Sequence, residues 1–296
     1  MESQAAVHST HRGLEYRFTD ADFAGVAEIA RTSFGLSLEP HKRNLVYGRL
    51  SRRLRALDIN TFTEYLDFLR GPSGHGERRE MLSALTTNVT SFFREAHHFD
   101  LLHEMVLPDL LARAQRGKRV RLWSAGCSGG QEAFSMALTI VGACLDAPKL
   151  DIRILATDVD PVILRQGIRA RYSKSELSEI PTSLRSIGTE IHEDGTFSIS
   201  PKVRQLVTFG ELNLMNRWPM QGPFDVIFCR NVAIYFDHPT QQKLWSSFAG
   251  LLREGGHLMI GHSERVIGPA SGLFRSTGVT SYEKNKGVSD AKSCQR

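Results

Sequence analysis

Paired cysteines are missing from this chain. Its 296 residues hold four, Cys127, Cys144, Cys229 and Cys294, and no two are spaced C-x-x-C. That spacing argues against a zinc site, and a chain of this length does not depend on a disulfide framework, so a reduced cytosolic setting is expected. Long apolar runs are missing too: none approaches the roughly 18 residues of a membrane span, so no membrane insertion is expected. Met1 to Thr19 is polar and lacks an apolar core, which excludes a secretory signal there and makes Asn88-Val-Thr90 a coincidental glycosylation sequon. The chain shows no internal repeat, low-complexity segment, Walker lysine, metal-ligand cluster or nucleophile elbow, and each absence removes the chemistry that goes with it.

What is present is the composition of an ordinary globular protein, 41% hydrophobic and 23% charged. At about 150 residues per domain, the length suggests two domains. The net charge of +5 is unevenly spread. Between His41 and Leu57 stand Lys42, Arg43, Arg49, Arg52, Arg53 and Arg55, with no Asp or Glu. Such a patch attracts an acidic partner, whether nucleic acid or an acidic protein surface. The plainer alternative is a solvated helix face. Val46, Leu50, Leu54 and Leu57 form one apolar stripe with Arg49, Arg52 and Arg55 on the other side, the pattern of an amphipathic helix.

Residues 1–85 read as a helical domain. Thr19-Asp-Ala-Asp22 and Thr61-Phe-Thr-Glu64 are helix-start signals, Gly71 to Gly76 is a breaker-rich loop, and a helix is expected from Glu77 to Leu85. From Lys118 short apolar runs alternate with helical stretches. Val120 to Ser124, Ile152 to Thr157, Phe224 to Cys229 and His257 to Ile260 read as buried parallel strands, with helices near Gln131 to Leu145, Pro161 to Ala170 and Pro239 to Arg253. That order predicts a doubly wound α/β sheet over 86–296, closed by a hairpin around Thr277-Gly278. Gly195 to Ile199 and Val203 to Thr208 are expected as short antiparallel strands of an insertion at about 185–210.

The most distinctive stretch is Thr86 to Phe99, where hydroxyls, an amide, two adjacent Phe and Arg94 follow neither a helical nor a strand period. It reads as a loop presenting polar atoms to a ligand before a helix that begins near Glu95. Arg121 to Glu132 reads as strand, glycine turn and helix, with Gly126, Gly129 and Gly130 free of a Cβ that would exclude a ligand. The turn departs from G-x-G-x-x-G, which disfavours a dinucleotide. Asp158, at the tip of the second strand, is placed to accept ribose hydroxyls, and Asp160, before Pro161, to cap the next helix. Glu132 either binds hydroxyls or favours the helix dipole. Arg230, Asn231 and Tyr235 follow the strand Phe224 to Cys229, at the carboxyl edge where open α/β sheets bind ligands, although a tyrosine before Phe236 is also compatible with plain packing.

Taken together, Thr86 to Phe99, Cys229-Arg-Asn-Val232 with Ile234-Tyr-Phe-Asp237, and Gly261-His-Ser-Glu264 resemble the chemotaxis receptor methyltransferases, the CheR family. The resemblance implies an α/β, Rossmann-like S-adenosylmethionine-dependent methyltransferase domain with a small all-helical N-terminal domain and a small antiparallel β-insertion. It implies methyl transfer from S-adenosylmethionine to receptor glutamates, with S-adenosylhomocysteine as product. Carried over by motif, Asn88, Thr90, Arg94, Gly126, Glu132, Asp158, Asn213, Leu214, Arg230 and Asn231 would hold the cofactor, and Arg94 and Tyr235 would stand beside its methyl group. Lys42, Arg43, Arg49, Arg52, Arg53 and Arg55 resemble the face that docks on the cytoplasmic part of methyl-accepting chemotaxis receptors. The insertion resembles the part that, in some members, holds a peptide at the receptor's C-terminus, but it is short around Ile187 to Gly195. Where the family commonly has Glu-Glu-Pro-Tyr, this chain has Gln131-Glu132-Ala133-Phe134. A cytoplasmic monomer that binds no nucleic acid is expected. The alternatives are a nucleic-acid or small-molecule methyltransferase on the same fold and a non-catalytic cofactor sensor. Only Tyr47 stands among the arginines as a base-stacking aromatic.

Overall fold

Thr19 and Asp22 open the first helix by bonding each other's backbone: Asp22 N–H donates to Thr19 Oγ1 at 3.1 Å and Thr19 N–H to Asp22 Oδ2 at 2.8 Å. This reciprocal cap satisfies amides that a helix start leaves bare. The computed structural model describes residues 15–86 and 89–286, which divide into two units, 15–33 with 38–86 and 34–37 with 89–286.

The first unit is helical: α1 (Asp20–Phe34, its last residue belonging to the second unit), α2 (Arg43–Ala56), α3 (Phe62–Arg70) and α4 (His75–Leu85). Val46, Leu50 and Leu54 are fully buried along one side of α2, while Leu57, just past its end, is half-buried. Thr61 caps α3 by accepting from Glu64 N–H at 3.1 Å.

In the second unit α5 (His97–Leu101) passes through a π-helical turn, Leu102–Val106, into α6 (Leu107–Gln115). There follow β1 (Val120–Ala125), α7 (Gln131–Ala143), β2 (Ile152–Asp158), α8 (Pro161–Arg169), β3 (Arg171–Ser173), α9 (Thr182–Gly188), β4 (Thr189–Ile191), β5 (Thr196–Ile199), α10 (Pro201–Arg204), β6 (Val207–Glu211) and β7 (Phe224–Cys229). The unit ends with α11 (His238–Leu251), β8 (Leu252–Ile260), β9 (Phe274–Gly278) and β10 (Ser281–Lys284). The main sheet has seven strands in the order β6-β2-β1-β7-β8-β10-β9. β6 to β8 run parallel, and β10 is antiparallel to both of its neighbours.

Successive residues of a strand point to opposite faces, so strands covered on both sides read as continuous apolar runs. Leu122, Ile154, Val226 and Phe228 join one core, and Trp123, Ile227, Cys229 and Leu258 the other. That double covering is why β1 and β7 show no polar alternation. Asp160 caps α8, accepting from Val162 N–H at 2.8 Å and Ile163 N–H at 3.4 Å.

The strands expected at Gly195 to Ile199 and Val203 to Thr208 part company. The first becomes β5, the middle strand of a three-stranded antiparallel sheet ordered β3-β5-β4. The second does not join it: Pro201 starts the short α10, and Val207–Glu211 lies parallel to β2 at the edge of the main sheet, Asp158 opposite Glu211. A β-branched, alternating segment announces a strand but not which sheet it enters, because the pairing partner is distant in sequence.

Candidate functional site

The carboxyl ends of β1, β2 and β7 converge with the loop that precedes α5. After β1 the backbone turns at Gly126 (φ +84°), and the amides of Gly126 and Cys127 both donate to Thr157 O at 2.8 Å, stitching the turn to β2. A Cβ on Gly126 would collide with Val232 Cγ2, so glycine is required for two independent reasons, conformation and space. Gly130 (φ +90°) is the N-cap of α7, and its neighbour Gly129 accepts from Tyr172 OH at 2.7 Å.

Glu132, in the first turn of α7, is buried. Its Oε1 accepts from Ser124 Oγ at 2.6 Å and its Oε2 faces Arg230 Nη1 at 3.4 Å. Burial raises its pKa, opposed by Arg230 and by the Ser124 hydrogen bond. Arg230 is itself buried and lies over the rings of Phe99 and Phe228, 5.5 and 5.8 Å from their centroids. Its Nη2 donates to the carbonyl of Arg94 and lies 3.6 Å from Glu95 Oε2. One guanidinium thereby ties the end of β7, the start of α7 and the loop bearing Arg94.

That loop is bent by left-handed Phe93 (φ +52°) and Glu95 (φ +54°), one on each side of Arg94. Phe92 N–H donates to Glu179 Oε2 at 2.8 Å and Phe93 N–H to Ser135 Oγ at 2.9 Å, while His262 N–H and Nδ1 lie 3.3 and 3.2 Å from Glu95 Oε1. Burial pushes the Glu95 pKa up, but Arg230 and His262 together bring it below the ordinary value. Arg94 is half-buried, with Nη1 3.2 Å from Val89 O, and Thr90 is half-buried beside it in sequence. Asn88 lies outside the described residues.

At the tip of β2, Asp158 accepts from Ser128 N–H at 2.8 Å and Asp160 N–H at 3.0 Å. Burial raises its pKa against those two bonds. Its carbonyl takes Leu212 N–H at 2.9 Å, which sets Asn213 and Leu214 next to the β2 tip; Asn213 Oδ1 accepts from Met215 N–H at 2.9 Å and Leu214 O from Trp218 Nε1 at 3.2 Å. Asn231 is left-handed (φ +59°), and the one-turn helix Ala233–Tyr235 follows, with Tyr235 half-buried and its carbonyl accepting from Ser37 N–H at 2.7 Å.

The six basic residues belong to the helical unit and have divergent settings. Arg53 forks onto buried Glu77 at 2.9 and 2.6 Å and also reaches Glu80. Arg49 donates to Leu85 O at 2.6 Å and Thr86 O at 3.0 Å, and Arg43 donates to Asp20 and to Phe18 O. Arg55 pairs with Glu15 at 2.6 Å on the exposed surface. Arg52 is exposed and Lys42 half-buried. Part of the basic run is therefore fastening of its own unit, which charge counting could not distinguish from a docking face.

Sequence reasoning assigned no role to four residues in this region. Ser124 holds Glu132, and Glu95 holds Arg230. Fully buried His98 meets Thr280 Oγ1 at 3.1 Å, and Glu264 takes backbone amides of the turn after β7. Ser124 carried no signal, whereas Glu95 and His98 lie within the distinctive stretch Thr86 to Phe99 and Glu264 is the acid of Gly261-His-Ser-Glu264. Among the described residues, Glu95, His97 and His98 bring potential metal-ligand atoms within 4.8 Å, but the guanidinium of Arg230 beside Glu95 already supplies the positive charge there. The thiols of Cys127 and Cys229 are buried, which pushes their pKa values well up and makes them poor nucleophiles.

The donor set fits S-adenosylmethionine. Two carboxylates, Glu132 and Asp158, and the buried cation Arg230, whose Nε is buried without a partner, are the kinds of group that an ammonium, a ribose diol and a carboxylate would need. The glycines of the turn face the protein's own atoms: a Cβ would meet Val232 at Gly126, Gln131 and Gln166 at Gly129, and Gly167, Phe209 and Tyr172 at Gly130.

Comparison with known proteins gives the same outline. Residues 88–282 match the family model described as the CheR methyltransferase SAM-binding domain, and residues 21–86 match its all-alpha domain. The chain is 50% identical over 251 residues to a probable chemotaxis protein methyltransferase of Rhizobium etli, covering 84% of this chain and 94% of that one. It is 42% identical to chemotaxis protein methyltransferase 2 of Pseudomonas aeruginosa, covering 90% and 94%, and 39% identical to the chemotaxis protein methyltransferase of Escherichia coli, covering 90% and 92%.

Proposed function

This chain belongs to the CheR methyltransferase family, whose cofactor is S-adenosylmethionine, and from that premise we propose that it methylates glutamate side chains on the cytoplasmic part of chemotaxis receptors. The observation that carries the site assignment is the buried Arg230, bonded at once to Glu132 and to the Arg94 backbone.

When bound, the cofactor supplies an electrophilic methyl group on a sulfonium. A receptor glutamate is already ionised near neutral pH, so this chain needs no strong general base. Its task is alignment, worth several powers of ten in rate when a bimolecular step becomes effectively unimolecular. Glu132 takes the cofactor's ammonium, Asp158 its ribose, and Asn213 with Leu214 flank its adenine, with Asn88, Thr90, Gly126 and Asn231 completing the binding set. Arg94 orients the incoming carboxylate by charge-assisted hydrogen bonds, and Tyr235 defines its approach.

The exposed Arg52 and Arg55 of α2, with Lys42, form the docking face for an acidic stretch of receptor. A nucleic-acid substrate is disfavoured because Tyr47, the aromatic among these arginines, packs its ring 5.9 Å from Phe18 and 6.0 Å from Phe62 and is not a bare stacking platform. The test is incubation with methyl-labelled cofactor and, separately, receptor-enriched membranes, RNA and DNA. Base-labile label on the membrane protein is expected, as carboxyl esters require; label on nucleic acid alone would overturn the reading. Charge reversal at Arg52 and Arg55 should weaken pulldown by a receptor cytoplasmic fragment.

A further inference from the structure

We propose that Glu264 is the positioning residue of the site: its carboxylate holds the corner that carries Arg230, Asn231 and Tyr235 in register. The inference rests on the methyltransferase reading given above. Glu264 is only 4% exposed and lies three residues beyond Gly261, just past the end of β8. Its Oε2 accepts from Gly261 N–H at 2.5 Å and Asn231 N–H at 3.2 Å, and its Oε1 from Ile234 N–H at 3.2 Å. Ala233 N–H adds to the same pull.

These partners are backbone amides, from the ends of two neighbouring parallel strands. β7 and β8 pair through Cys229 and Ile260, so residues 230–235 and 261–264 leave the sheet side by side. The first of these segments contains a left-handed residue, Asn231 at φ +59°, a conformation that asparagine tolerates and that its surroundings must still hold in place. A carboxylate that gathers amides from residues 231, 233 and 234 does so.

Space is equally restricted on the other side. A Cβ on Gly261 would stand 2.7 Å from the Asn231 nitrogen and 2.9 Å from Glu264 Oε2. The Gly-x-x-Glu spacing therefore has a physical meaning: glycine admits the corner and the acid clamps it. Glutamine at position 264 keeps the shape but sets an NH2 group against backbone N–H groups, so at least one of those bonds is lost.

Amide hydrogen exchange, cofactor-product binding and turnover test this on the whole chain. In the wild-type protein the amides of Asn231, Ile234 and Gly261 should exchange slowly; rapid exchange at all three overturns the proposal without any variant. Glu264→Gln should speed exchange at these amides, weaken S-adenosylhomocysteine, and lower turnover about tenfold to a hundredfold, the scale of a displaced reacting group. Gly261→Ala perturbs the same corner from the opposite side and should share the pattern. A purely structural role would lower the unfolding midpoint while leaving turnover per folded molecule and local exchange at the wild-type level. Wild-type turnover in Glu264→Gln therefore overturns the proposal, whereas failure of the wild-type protein to methylate any receptor overturns the functional reading instead.

Discussion

Arg230 Nη1 lies 3.4 Å from Glu132 Oε2, with both side chains buried at the edge where β1 and β7 end. A lone charge of either sign would be strongly disfavoured here, and each makes the other tolerable. The pair also marks the junction of three chain segments, because the same guanidinium holds the Arg94 carbonyl.

Removing one partner should be costly. Arg230→Met leaves Glu132 and Glu95 facing each other without a cation, and should lower stability by about 3–5 kcal/mol. Urea denaturation checks the cost, and calorimetry with S-adenosylhomocysteine should show binding lost under conditions where the variant is folded. Arg230→Lys keeps the charge but not the fork and should fall between the two.

Tyr235→Phe and Arg94→Ala are expected to lower turnover about tenfold to a hundredfold while changing cofactor affinity much less, since these groups align the reactants. Initial rates at saturating cofactor, beside S-adenosylhomocysteine titrations, separate the two effects. Wild-type rates in both variants would refute these roles.

His98 should make stability depend on pH. It is fully buried, and its pKa is pushed down to about 3, first by burial and then by Arg230 and His97, against the opposing pull of Glu95. The unfolded chain takes up this proton near about pH 6.5 and the folded one only near pH 3, so in between the unfolded state binds more protons. His98 therefore favours folding fully above about pH 6.5, and this is lost as pH falls, by up to roughly 1.4 kcal/mol per unit. Burial-raised Glu132, Asp158 and Glu264 are common to wild type and variant, so urea midpoints of wild type and His98→Gln across this range isolate the histidine. Parallel slopes would contradict the expectation.

Arg53 and Arg52 are adjacent in sequence and should behave oppositely. Arg53→Ala strands Glu77, whose remaining partner is the Tyr65 hydroxyl at 2.8 Å, and should cost about 2–3 kcal/mol after allowing for the partial exposure of the arginine. Arg52→Ala removes an exposed side chain and should stay within about 0.5 kcal/mol of wild type while weakening receptor capture. Thermal unfolding and a receptor pulldown, run on both variants, check this split.

The sequence determined whatever is local. Thr19 with Asp22, Thr61 with Glu64, and Asp160 before Pro161 specified helix starts that formed as their spacing required. Runs such as Phe224–Cys229 specified strands buried on both faces, because no polar residue interrupts them on either face except Asp225, which is itself buried and held by Arg113 and Arg253. Gly126 and Asp158 were legible as residues of the strand ends, where the first turns the backbone at φ +84° and the second gathers the amides of Ser128 and Asp160.

Tertiary structure alone decided which sheet β6 entered, which arginines of α2 were tied down, and what held the loop around Arg94. Each depends on partners far away along the chain: Val207–Glu211 on β2, Arg53 on Glu77, and Arg230 reaching back 136 positions to residue 94. A residue's type sets which bonds it can make, but only the folded chain sets which of them are within reach.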